Sequence, residues 1–156
     1  MMLRADSTRL LLARALLLVT ATAVTIACSG TIGVSAVGQA RAKWERLEPM
    51  RYSFVLELQC FCTPEMSGPF AVTVRDGVEF VTREGQTVSP EWLTNVPTTA
   101  EDLFTFVEER QNQKDFRAEF DQVTGLPTKV WSDPIPEAVD DELGITVSRI
   151  VIEEAP

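Results

Sequence analysis

Apolar and polar residues alternate most regularly from Tyr52 to Gln59, with Tyr52, Phe54, Leu56 and Leu58 on one side and Ser53, Val55, Glu57 and Gln59 on the other. A period of two belongs to a strand, here half-buried with its aromatic side inward. Ahead of it, "ARAKWERLEPM" sets Ala40, Trp44 and Leu47 at spacings of four and three, one face of a short helix that Pro49 stops. After it, Asp76-Gly77 sits between two apolar, β-branched runs in "PFAVTVRDGVEFVTREG". That predicts a hairpin, because a two-residue turn of this hand needs positive φ. "QTVSPEWLTNVP" reads as a loop with a helical turn at Pro90 to Leu93.

A second helix opens in "TTAEDLFTFVEER", where Thr98 is the expected cap and Glu101, three residues on, the other half of a capping box. Leu103, Phe104 and Val107 form its apolar face, and Glu101, Asp102, Glu108 and Glu109 read as its solvated face rather than as metal ligands. Phe116, Ala118 and Phe120 then pair with Val130 and the strand after Pro127, across a "DQVTG" turn in which Gly125 takes the left-handed position. "GITVSRIVI" alternates less cleanly and predicts a largely buried last strand. The elements add up to an α+β fold, an antiparallel sheet of about five or six strands covered by two helices on one face. Residues 40–83 and 99–152 share one order of helix and strands, which suggests a duplicated unit.

The N-terminus follows a different rule. Arg4, Arg9 and Arg14 precede an apolar stretch from Ala15 to Cys28, the layout of an export signal. The uncharged run extends to Ala40, 26 residues, enough to cross a bilayer at about 20 residues per span. Three readings stay open: a cleaved secretory signal, an uncleaved signal anchor, or a lipoprotein signal acylated at Cys28. "VTIAC" resembles the bacterial lipobox, with Ile26 and Ala27 in place and Thr25 where Leu is usual. All three put the functional part on the outer side of the cytoplasmic membrane. The expected organisation is therefore an export signal at 1–28, a spacer at 29–39 and one extracytoplasmic domain at 40–154.

Charge narrows the partners. Of 14 basic and 23 acidic residues, residues 1–28 hold three and one, leaving 11 against 22 and a net charge of −11. Nucleic-acid binding rests on Lys and Arg neutralising phosphates, so no nucleic-acid partner is expected. Membrane contact should come from the N-terminal lipid or helix anchor alone.

Two places could carry chemistry. Cys60 and Cys62 flank Phe61 at the end of the aromatic strand. The chain has no histidine and three cysteines in all, so the four ligands of a zinc site are lacking. Thioredoxin-like centres use two intervening residues at a helix start, not one residue after a strand. Outside the cytoplasm a disulfide is the favoured state, and closing it requires a bend, which Thr63-Pro64 could mark. Free buried thiols and inter-chain pairing remain alternatives. The second place is "WSDPIPEAVDDELG", which gathers Asp133, Glu137, Asp140, Asp141 and Glu142. It is a weak calcium candidate, since the spacing does not follow the twelve-residue loop pattern, and a solvated acidic loop is the simpler reading. Ser53, Ser67, Ser132 and Lys129 lack any framing motif for nucleophilic catalysis.

Trp44, the "YSF" of 52–54, Cys60-Phe61-Cys62, Asp76-Gly77, Leu103-Phe104 and "D-x-x-TG-x-P" from Asp121 to Pro127 together resemble a family of small bacterial envelope proteins, many of them predicted lipoproteins, catalogued as a domain of unknown function. The resemblance covers about residues 40–152 and implies an extracytoplasmic site, without an activity or catalytic residues. The expected function is a non-enzymatic, membrane-anchored accessory or binding module that needs no cofactor and holds an unknown protein or peptide partner. Phe61, Pro64 and Phe70, in a Pro- and Gly-bearing loop, are the expected contact surface. The rivals are a thiol-disulfide redox protein working through Cys60 and Cys62, and weak calcium binding at 133–142.

Overall fold

The computed structural model describes residues 35–153 except 136, 139 and 140. The export signal 1–28 with Cys28, most of the 29–39 spacer, and Asp140 lie outside the described residues.

The elements in chain order are α1 (Ala36–Glu45), β1 (Arg51–Cys60), α2 (Pro64–Ser67), β2 (Phe70–Arg75), β3 (Val78–Arg83), β4 (Gln86–Thr87), a 3-10 turn (Pro90–Leu93), α3 (Ala100–Arg110), β5 (Asp115–Phe120), β6 (Pro127–Asp133) and β7 (Leu143–Ile152). The fold is α+β. All seven strands form one sheet in the order β4-β3-β2-β1-β7-β6-β5, with every pair antiparallel. The strand count exceeds the expected five or six because a second two-residue turn, Glu84-Gly85, folds Gln86 and Thr87 back onto β3.

β1 lies at the centre, and its inward residues set the layers. Tyr52, Phe54 and Leu56 stand opposite Val74, Val72 and Phe70 of β2, while Leu56 and Leu58 stand opposite Val147 and Ile145 of β7. These side chains are buried with Val37, Ala40 and Trp44 of α1 and Leu103, Phe104 and Val107 of α3. Each such side chain contributes about 1.5–3 kcal/mol when fully buried, so the aromatic side of β1 is where most of the cohesion collects. α1 and α3 both pack on this face.

Tyr52 touches both helices. Its ring meets Trp44 edge-to-face at 5.1 Å and stacks on Phe54 at 6.2 Å, and its hydroxyl accepts a hydrogen bond from the Ala100 N–H at 3.1 Å. That N–H is one of the first-turn donors of α3 that no helical carbonyl can reach. Arg41 joins the helices to each other, donating to Glu108 from Nε (2.7 Å) and Nη2 (3.0 Å) and to Glu101 from Nη1 (2.7 and 2.9 Å), above the Phe104 ring.

Several expectations shift by a residue or a turn. The α3 cap is Thr99 rather than Thr98, and Asp102 rather than Glu101 reaches back to its N–H. Thr98 is buried instead. α1 begins at Ala36, capped by Ser35, so the last spacer residues are helical, and Leu47 falls beyond the helix end and is 43 % exposed. β7 is fully buried only in its first half: one extra residue between Ser148 and Val151, with Arg149 at positive φ, breaks the register against β1, and beyond it Val151 is exposed while Ile150 and Ile152 pack, partly buried, against the core.

The repeated order of helix and strands is not a structural repeat. Alternation through β7 and β6 makes β1 and β5 run oppositely. α1 and α3, which precede β1 and β5, nevertheless both lie on the Tyr52 side of the sheet, so no single rotation maps one half onto the other.

Candidate functional site

β1 ends at Cys60, and the chain turns at once through Phe61 and Cys62. The two cysteines are bridged, with their Cα atoms 5.2 Å apart, shorter than the nearly 7 Å of alternate residues on a straight strand. The expected bend is therefore present, and it lies between the cysteines, one residue before Thr63-Pro64. Phe61 is 79 % exposed. Pro64 opens α2, whose Met66 is also exposed.

Phe70 does not belong to this surface. It is the first residue of β2, set opposite Leu56, and 2 % exposed, because the parity of that strand points it toward the helices. Gly68 admits the tight return: its φ is +91°, and a Cβ would come within 2.9 Å of the Leu56 carbonyl oxygen. The contact surface expected from Phe61, Pro64 and Phe70 thus reduces to Phe61 and the α2 turn.

The acidic loop is less convergent than its composition suggests. Glu137 is exposed, and no three described residues among Asp, Glu, Cys or His are grouped so as to hold a metal ion. Asp133 Oδ1 and both carboxylate oxygens of Asp141 are buried and, among the described residues, without hydrogen-bond partners. Burial, followed by the charges of Asp141, Asp115, Glu142 and Glu137, holds the Asp133 carboxyl above its ordinary range.

The turn from Asp121 to Gly125 is built from the inside. Asp121 Oδ1 accepts from the Thr124 N–H (2.7 Å), the Thr124 hydroxyl (2.9 Å) and the Val123 N–H (3.0 Å), with the Thr124 N–H the main cause of its lowered pKa. Gly125 takes φ +82°, and a Cβ on it would overlap the Ala40 carbonyl oxygen of α1. Lys43 donates to the Gln122 carbonyl at 2.7 Å. The turn is therefore a socket for α1.

One feature left no clear mark in the sequence. A cavity of about 560 Å³ opens between α2, β4 and the 3-10 turn, with Phe70, Arg83, Val88 and Trp92 in its wall. Arg83 Nη1 donates to the Glu65 carbonyl at 2.9 Å and ties α2 to β3. Trp92, 58 % exposed, stands at the cavity's rim.

No described helix is long and apolar enough to cross a membrane. Comparison with curated proteins and with solved structures returns no match. A family model matches residues 36–152, from the first residue of α1 to the last of β7, and so spans the whole described domain but for its outermost residues. The chain belongs to this family, a family of unknown function (DUF6174).

Proposed function

We propose that the protein is a non-enzymatic accessory or binding module held at the outer side of the cytoplasmic membrane by its N-terminus. The observation that supports this is Phe61: a large aromatic ring, 79 % exposed, carried between two bridged cysteines at the end of the central strand. A rigid aromatic presented at low conformational cost is the residue type that anchors protein contacts. The bridge is a staple of the bend that ends β1: the contact does not require it, and it takes no part in electron transfer.

Replacing Phe61 with a photo-crosslinking phenylalanine in the full-length chain, in cells, tests the reading. A discrete adduct from position 61, absent when the probe replaces the equally exposed Val123 (77 %), is expected. Matching patterns from the two positions would overturn it. Intact mass tests the anchor, since cleavage before Cys28 with acylation gives a distinct mass.

A further inference from the structure

The two edges of the sheet are treated differently. At one edge, β5 turns Asp115, Arg117 and Glu119 toward the open face, alternating charges of the kind that discourage another strand from pairing. At the other, β4 covers only Thr82 and Arg83 of β3. Val78 and Phe80 project from the open face there, 55 % and 53 % exposed, with no charge between them on that face.

Backbone parity shows what this stretch offers. Opposed residues in an antiparallel pair alternately exchange two hydrogen bonds and none. The two-residue turn at Asp76-Gly77 makes Arg75 and Val78 an exchanging pair, so Thr73 and Phe80 exchange as well, and Glu79 and Val81 direct their N–H and C=O outward. The Val81 carbonyl accepts from the Val88 N–H at 3.0 Å, in agreement with this parity. The outward groups of Glu79 have no partner among the described residues.

The charge beside that edge names the occupant. Glu79 projects to the helix-bearing side, where the Tyr52 hydroxyl feels Asp102, Glu79 and Glu101 together. We propose that the Val78–Phe80 edge accepts an extended segment of a partner protein reading apolar, basic, apolar: a Lys or Arg opposite Glu79, flanked by apolar residues opposite Val78 and Phe80. A second copy of this chain fits poorly, because a two-fold pair centred on Glu79 sets its carboxylate against the same carboxylate of the partner copy. This inference deepens the reading of the domain as a binding module and does not involve Phe61.

The test is an amide-resonance titration of the 15N-labelled full-length chain in mild detergent, using an acetylated, amidated Thr-Val-Lys-Val-Thr peptide and its Thr-Val-Glu-Val-Thr counterpart. The expected result is saturable shifts at Glu79 and Val81 with the lysine peptide and a response at least tenfold weaker with the glutamate peptide. Glu79→Lys should reverse that preference, and Phe80→Lys should abolish binding. Both side chains are exposed, so an unchanged melting temperature checks that each variant folds. Equal response to both peptides, shifts centred on Arg117 and Glu119, or self-association that neither peptide disperses would overturn the inference. A silent edge beside an intact Phe61 adduct removes this proposal alone; a lost adduct beside a responsive edge removes the Phe61 contact alone.

Discussion

Gly125 combines two requirements at one position: a backbone at φ +82° and a neighbour, the Ala40 carbonyl, standing where a Cβ would go. Gly125→Ala is expected to cost about 2–4 kcal/mol, left-handed strain adding to overpacking. Urea denaturation should show it as a lowered midpoint with unchanged slope. Two aspartates then respond oppositely to pH. The Asp121 carboxyl is held below its ordinary value, so the stability it contributes is present above about pH 4 and lost as pH falls through the folded value. The Asp133 carboxyl is held above its ordinary value, so the folded state binds the extra proton, and stability is lost as pH rises from about 4 through the raised value. Asp133→Asn should therefore melt higher than the parent protein at pH 7 and converge with it near pH 3. A calcium-dependent rise in the parent's melting temperature that the variant lacks would instead make this loop a cation site.

At the scale of elements, Tyr52 sets how both helices sit on the sheet. Tyr52→Phe keeps the ring against Trp44 and Phe54 but leaves the buried Ala100 N–H without its acceptor. The expected cost is about 1–2 kcal/mol, read by chemical denaturation, with amide exchange accelerating first in the initial turn of α3. An exchange rate unchanged there would mean that the hydroxyl does not hold the Ala100 N–H. The elements legible in the sequence were those whose signal is local: the alternation of β1, the Asp76-Gly77 turn, and the Asp121 to Gly125 turn with its left-handed glycine. Those missed depend on distant partners. Thr98 and Thr99 are equally good caps by composition, and the choice between them follows from where the sheet buries Thr98. Phe70 looked free because its burial is fixed by its register against Leu56, across a loop. Arg41 meets Glu108 from 67 positions away, a distance at which no spacing rule operates. β4 is only two residues long, so Glu84-Gly85 was its sole trace.

At the scale of the whole molecule, the residues on which the resemblance to the family rests are mostly architecture. Trp44, Tyr52, Phe54, Leu103 and Phe104 are buried, and Asp121 to Gly125 forms the socket for α1. Phe61, among those residues, faces solvent without a fold-level task. A strongly acidic domain repels anionic surfaces at short range, which is the physical ground for proposing contacts through an apolar ring and an edge strand. The bridge at the end of β1 closes a very small loop, so its removal should cost about 1–2 kcal/mol in chain entropy, lowering the melting temperature by several degrees. The deciding measurement is the Phe61 photo-crosslink repeated with Cys60→Ser and Cys62→Ser together. A structural bridge predicts that the adduct persists while the melting temperature falls; an adduct that vanishes while the melting temperature holds would contradict it and make the cysteines the chemistry.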